Sequence, residues 1–347
     1  MRRVTLLILT AICTATAASA QVPSAASVLQ VARGVFKPLP ANMATPEHPA
    51  TAQLVALGDD LYWDPRLSAD GTVSCARCHQ PALYGSDGLP KSLGVGDKRN
   101  PRRAPTVLNA ALEFRVLWLG QRKDVEGQAM RAFLGDTSFG NRSYAALIAR
   151  IDAIPGYRPL FRQAFPGQAN PVTPENLGRA IGAYERTLVT PAPFDRFLQG
   201  DVRALTPTQL AGLWTFIATG CASCHNGVDV GGNSFRRFGV VEDYWKATGS
   251  KEIDKGRYAV THDPADMYVF KVAALRNVAM IPPYFHDGSV PTLPQAVRAM
   301  ARVQLGKQLS DEQTRAIVSF LDSLTGALPA DFVAAPALPT GPYLEGR

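Results

Sequence analysis

The chain has 347 residues, 46% hydrophobic and 19% charged, a composition that excludes a disordered protein and a length that allows two domains. The formal charge is +7, but the basic residues are scattered and form no Lys/Arg-rich run with interleaved aromatics, so no nucleic-acid partner is expected. After the N-terminus no stretch is long and apolar enough to span a bilayer as a helix, so no membrane anchor is expected either.

Residues 1–20 read as an export signal. Arg2 and Arg3 form a charged start, Val4 to Ile12 a short apolar stretch, and Ala18-Ser19-Ala20 a small-residue cleavage site. Cleavage there removes Cys13 and places the mature chain in the periplasm. Residues 21–50 are rich in Ala and Pro and are expected to lie extended across the surface. Leu54, Leu57 and Leu61 fall at helical spacing and predict a helix from Thr51 to Tyr62. Asp64 to Arg103 is loop-like, with frequent Gly and Pro. Pro105 to Leu117 carries a buried helical pattern that ends at Trp118.

Ser143 to Ile154 reads as helix, and Thr173-Pro174-Glu175 starts another that runs to about Leu188. Thr190-Pro191-Ala192-Pro193 then reads as a linker. Thr206-Pro207 opens a helix bearing Leu210, Leu213, Trp214 and Ile217. A Gly-rich loop follows, from Gly227 to about Asp266. Gln295 to Ala301 reads as helix. Ser310 caps a last one, with Ile317, Phe320, Leu321 and Leu324 on one stripe and Gly326 at its end.

Four of the five cysteines lie in two pentapeptides, Cys75-Ala76-Arg77-Cys78-His79 and Cys221-Ala222-Ser223-Cys224-His225. Each is a C-x-x-C-H, the pattern of c-type haem attachment. Two thiols add to the two vinyl groups of one porphyrin, and the adjacent His becomes the proximal iron ligand. The competing reading, a pair of zinc or thiol redox sites, leaves the two following His unexplained. The fold class expected is therefore mainly α, with two cytochrome c-like haem domains in tandem. Residues 21–189 would form the first domain and residues 190–326 the second.

With the motifs in place, the chain resembles the bacterial di-haem cytochrome c peroxidases and their MauG-type relatives from about Gly58 to Gly326. The resemblance rests on Leu61-Tyr62-Trp63-Asp64-Pro65-Arg66-Leu67-Ser68, Asp254-Lys255-Gly256-Arg257-Tyr258, Leu275-Arg276-Asn277-Val278, Pro283-Tyr284-Phe285-His286-Asp287-Gly288, and Met300 followed by Gln304-Leu305-Gly306. It implies a peroxidatic first haem, a second haem that stores electrons with His/Met ligation, and a tail, residues 327–347, that joins the first domain. His79 and His225 are the proximal ligands, and Met300 occupies the family's axial Met position, ahead of Met267 and Met280. A thioether ligand favours ferrous iron and raises the potential.

The first site departs from the family pattern. Many relatives carry a second iron-capping His where this chain has Val95, so an open first haem is expected. The family's distal Gln is matched by Gln128. Its distal Glu is matched by Ser138, which is no base; Asp136, two residues earlier, is the substitute, with Glu126 and Asp124 as further candidates. Trp118 matches a Trp that relays electrons between the haems. His286 reads as a haem-contacting or a structural residue. Two positions linked to the family's calcium site read Arg103 and Ile281, which offer calcium no side-chain oxygen.

The resemblance thus implies hydrogen peroxide as substrate, a small cytochrome c or cupredoxin as electron donor, and a homodimer. A MauG-like enzyme that oxidises a partner protein's side chain and a non-catalytic electron carrier or sensor stand as alternatives.

Overall fold

The computed structural model describes residues 22–342; the expected signal segment 1–20, with Cys13, lies outside them. The main helices are α1 (Ala25–Val35), α2 (Ala52–Trp63), α3 (Val125–Ala132), α4 (Tyr144–Asp152), α5 (Tyr157–Ala164), α6 (Pro174–Glu185), α7 (Pro193–Gln199), α8 (Pro207–Thr219), α9 (Leu293–Leu305) and α10 (Asp311–Asp322). The two short strands β1 (Phe235–Arg237) and β2 (Val269–Lys271) pair antiparallel. The mainly helical expectation holds. Helix starts follow the capping chemistry. Thr51, Ser143 and Thr173 each accept a backbone N–H through the side chain, and Thr206 and Ser310 form capping boxes with Gln209 and Gln313.

Two helix pairs form the frames of the two halves. In the first, α2 crosses α6, and a Cβ on Gly58 would stand 2.0 Å from the Ala180 carbonyl oxygen. In the second, α8 crosses α10, and a Cβ on Gly212 would stand 1.8 Å from the Ala316 carbonyl oxygen. Each glycine lets two backbones approach more closely than any side chain allows. Around the first crossing lies a core containing Leu57, Leu61, Phe133, Ile151, Phe161 and Ile181. Around the second lies one containing Phe194, Phe197, Leu213, Phe216, Ile317 and Phe320.

Several expectations fail for identifiable reasons. The stretch 21–50 is not all extended: Ser24 caps α1, and Val28, Leu29 and Ala32 make a buried helical face. That face joins the core of the second half although it precedes the first in sequence, and Phe36 bridges to Gly227. At the other end, Phe332 packs with Tyr62 and Tyr184 of the first half. Residues 105–117 form no regular helix beyond a 3-10 turn at Ala110–Leu112. Asn109 and Leu117 both have φ above +60°, and the backbone bonds go to distant partners such as Leu188 and Gly232. α6 stops at Glu185, short of Leu188. In the segment expected as a linker Thr190 is fully buried and Pro191 is exposed. Gly326 does not cap α10, which ends at Ser323; it packs against the Thr190 carbonyl.

From Asn109 to the start of α3 the first half repeats in the second at one offset. Bridges Val116↔Arg122 and Tyr284↔Val290 are displaced by 168 residues (284 − 116 and 290 − 122). The same offset relates Asn109 (φ 62°) to Asn277 (φ 60°), Leu117 (φ 69°) to Phe285 (φ 68°) and Gly120 (φ 59°) to Gly288 (φ 62°). It also relates the N-caps of α3 and α9, Asp124 and Thr292.

Gly212→Ala should lower the melting temperature of the haem-loaded protein by about 10 °C or more, because carbonyl and methyl cannot share the space. Gly34→Ala, late in α1 with nothing within 4 Å of the added carbon, should raise it by about 2 °C. Thermal melts of the two variants by circular dichroism check both values.

Candidate haem sites and the junction between them

In each half the C-x-x-C-H closes a short turn in which the His N–H donates to the carbonyl of the first Cys, at 3.0 Å for both His79 and His225. His79 Nδ1 lies 3.0 Å from the Gly85 carbonyl and His225 Nδ1 3.1 Å from the Ala273 carbonyl. A carbonyl accepts only from a protonated Nδ1, which leaves the Nε2 lone pair free to bind iron. Burial pushes both imidazoles toward the neutral form that ligates, His225 down to about 4.

The four thiols are free. Burial pushes the Cys78 thiol up to about 11 and raises those of Cys75 and Cys221. Among the described residues, neither motif belongs to a group of three or more His, Cys, Asp or Glu placed to share a metal. The donor sets fit haem and do not fit zinc.

In the second half Cys221, Cys224, His225 and Met300 line one cavity of about 240 Å³, with Trp118 and His286 on its wall. Met300 is its methionine; Met280 is 42% exposed and Met267 does not line the cavity. His286 is 2% exposed, and its Nε2 has no hydrogen-bond partner among the described residues. The Asp254 carboxylate stays 3.7 Å away, held by both Arg102 nitrogens. A buried donor left open on a cavity wall fits a polar edge of a bound group.

In the first half the loop carrying Val95 is tied down. Val95 N–H donates to the Ser138 carbonyl at 2.9 Å, Leu93 bridges to Arg99, and the Asn100 amide donates to the Thr137 carbonyl at 2.6 Å. The Val95 side chain packs in the cluster that holds Cys75. Gln128 is half-buried on α3. Ser138 donates its hydroxyl to the Ala132 and Gly135 carbonyls. Asp136 is exposed in the turn after α3, with no side-chain partner among the described residues. Glu126 turns away to a bidentate pair with Arg186 at 2.7 and 3.1 Å, with His48 at 3.4 Å. Asp124 caps α3 through Gly127 N–H.

Between the halves the contacts come in reciprocal pairs. Arg103 N–H donates to the His286 carbonyl (3.0 Å), and Lys271 N–H to the Trp118 carbonyl (2.9 Å). The Arg103 guanidinium donates to the Ile281 carbonyl (2.9 Å), and the Lys271 ammonium pairs with Glu113. Arg103 and Lys271 are 168 residues apart, as are Trp118 and His286, and Glu113 and Ile281. Contacts exchanged in this way mark a pseudo-twofold axis. The Trp118 and His286 rings meet there at 6.3 Å, and the Trp118 indole N–H is held by the Arg103 carbonyl (3.0 Å). Arg103 thus brings its own positive charge to the position linked to calcium, also bonding Ser86 (2.9 Å). Burial lowers its pKa to about 10. The side chains here do not fit a calcium ion.

A family model for di-haem cytochrome c peroxidase matches residues 52–203. The cytochrome c551 peroxidase of Pseudomonas aeruginosa is 42% identical over 311 residues, 89% of this chain and 88% of that protein. The methylamine utilization protein MauG of Methylorubrum extorquens is 35% identical over 339 residues, 94% and 91% of the two chains. A solved MauG-like protein associated with microbial copper homeostasis shares the fold, with TM-score 0.71 at 24% identity over 86% of this chain and 95% of that one. Fold and motifs together define a haem oxidoreductase of the peroxidase type. The chain belongs to the di-haem cytochrome c peroxidase and MauG family.

Sequence reasoning passed over Glu185, Arg186 and the structural parts of Arg103 and His286. The signal available was the 168-residue offset, which pairs Arg103 with Lys271 and Trp118 with His286. Glu185 is 9% exposed, and burial followed by the nearby Glu126 pushes its carboxyl up to about 8 from 4.5. The folded protein therefore keeps a proton that the unfolded chain releases near pH 4.5. This contribution to stability is complete below that pH and lost as pH rises to about 8. Glu185→Gln should flatten the fall in melting temperature between pH 5 and 8.5, leaving the variant about 5 °C above wild type at the alkaline end after matching at pH 5. Melts across that range check it.

Proposed function

We propose that this chain is a periplasmic di-haem c-type peroxidase that reduces hydrogen peroxide to water with electrons from a small cytochrome c or cupredoxin. The overall change consumes two electrons and two protons per peroxide and releases two waters. The observation that carries this reading is the difference between two otherwise repeated sites: a methionine lines the second, while Val95 stands where a capping His would close the first. In this proposal the peroxidatic half is residues 21–189 with the tail, less α1 and Phe36, which pack with the electron-transfer half of residues 190–326.

Cys75 and Cys78 would anchor one haem and Cys221 and Cys224 the other, with His79 and His225 as proximal ligands and Met300 as the second axial ligand of the latter. Bound haem supplies the redox-active iron at each site. The carbonyls of Gly85 and Ala273 fix the tautomer and orientation of each proximal imidazole. Gln128 is the amide available to donate to a peroxide oxygen. Asp136 is the nearest sequence substitute for the missing distal Glu, and its exposure keeps it solvated rather than pre-aimed. Trp118, clamped by the Arg103 carbonyl beside His286, lies on the wall of the second cavity in a position to relay electrons.

One observation favours a MauG-like reaction instead. Ser138 stands at the Glu position with its hydroxyl turned to backbone carbonyls, so it supplies no base for rapid peroxide cleavage. Slow peroxide turnover with a persistent oxidised state suits oxidation of a partner protein.

Stopped-flow mixing with hydrogen peroxide, with and without reduced cytochrome c, separates the readings. Rapid donor oxidation is the expected result, and a long-lived oxidised species with poor donor turnover supports the MauG-like reaction. No response of the first haem to peroxide sinks both. Because Arg103 fills the junction, chelator or added calcium should change the peroxidase rate less than about twofold. A large loss on chelation, restored by calcium, overturns that expectation.

A further inference from the structure

We propose that Ala132 is what leaves the far side of the first haem site open, because it stands where the internal repeat places Met300 in the second site. The inference rests on reading both motifs as haem sites and the first as open.

The offset is the same 168 residues that relates every pair at the junction (300 − 132). It has no slippage from Asn109/Asn277, through the paired bridges and positive-φ residues, to the caps of α3 and α9. Beyond the caps, Val125 and Leu293 are both buried, and so are Phe133 and Ala301. The two helices therefore bury the same positions at these two places, although Glu126 and Ala299 are buried where their counterparts Pro294 and Arg131 are exposed. Ala132 and Met300 are both half-buried. Ala132 packs against the core cluster that Cys75 and Val95 also pack against, and Met300 lines the cavity that Cys221 also lines. α3 ends at Ala132, but Phe133 keeps helical angles (φ −60°, ψ −27°), so the Ala132 side chain leaves the backbone as one within a helix does.

A thioether can ligate iron and a methyl cannot. The exchange of one side chain therefore separates an electron-storing site from a substrate-binding one. Val95 alone does not explain the opening: it removes a ligand that a loop would bring, whereas Ala132 removes the one the repeated helix would bring.

The test is Ala132→Met in the haem-loaded protein, compared with wild type by electron paramagnetic resonance, near-infrared absorption and cyanide binding. Wild type should show one high-spin and one low-spin ferric haem. In the variant the high-spin signal should become low-spin with a methionine-type charge-transfer band. Cyanide affinity at the first haem should fall more than about tenfold, with the second haem unchanged. Two low-spin haems in wild type sink the open-site reading and this inference together. A high-spin signal and cyanide affinity that persist in Ala132→Met sink the inference alone. Should that variant not fold, Ala132→Val narrows the same face. It should weaken imidazole binding at the first haem more than cyanide binding, and equal or absent effects overturn the proposal.

Discussion

The Thr190 hydroxyl oxygen, fully buried, accepts from the Asn109 amide of the first half at 2.9 Å and from the Asn277 amide of the second at 2.8 Å. Each asparagine also spends its carbonyl oxygen on a chain crossing, Asn109 on Thr190 N–H and Asn277 on Gly326 N–H, both at 3.0 Å. Their own N–H groups go to Leu188 and Leu324. One buried oxygen thus ties together two loops and the segments that follow α6 and α10. Removing either amide would leave buried partners unsatisfied, at a cost of about 1–3 kcal/mol each. The left-handed backbone at both asparagines is what aims them there, and it is also what stops residues 105–117 from continuing as helix.

From that knot the symmetry spreads outward. Glycine crossings at Gly58 and Gly212 bring each pair of framing helices together. The loops between them place Arg103 and Lys271 so that each reaches across to the other half. A pseudo-twofold arrangement explains why Trp118 and His286 face one another: they occupy the same position in the two repeats. It also accounts for the two cations at the junction: Arg103 bonds the Ile281 carbonyl while its counterpart Lys271 pairs with Glu113.

In the function proposed, the two sites owe their different roles to places where the repeat is broken. The two histidines match: each is half-buried, shifted toward its neutral form and oriented by a carbonyl. The far sides differ, with Met300 in one half and Ala132 in the other, and with Val95 held against the 135–140 loop by backbone bonds. The first site also lacks a buried distal carboxylate of the family type. Asp136 is exposed, Glu126 is paired with Arg186, and burial keeps Glu185 in its neutral form.

The sequence by itself determined the haem chemistry, the mainly helical class, and most helix starts. C-x-x-C-H is a covalent specification, and Thr or Ser caps followed by Pro act over three or four residues, so both are readable locally. The asymmetry at Val95 was legible for the same reason, as a residue type that cannot bind iron. Only the tertiary structure decided that α1 packs with the second half, that Thr190 in the connecting segment is buried and bonded by two asparagines, and that Arg103 stands in the junction. These depend on partners between 80 and 240 residues away in the chain, or on left-handed backbone at non-glycine residues, and neither leaves a local pattern. Asp136 shows the same limit: its place in the chain suggested a base, and its exposure was fixed by how the turn after α3 folds.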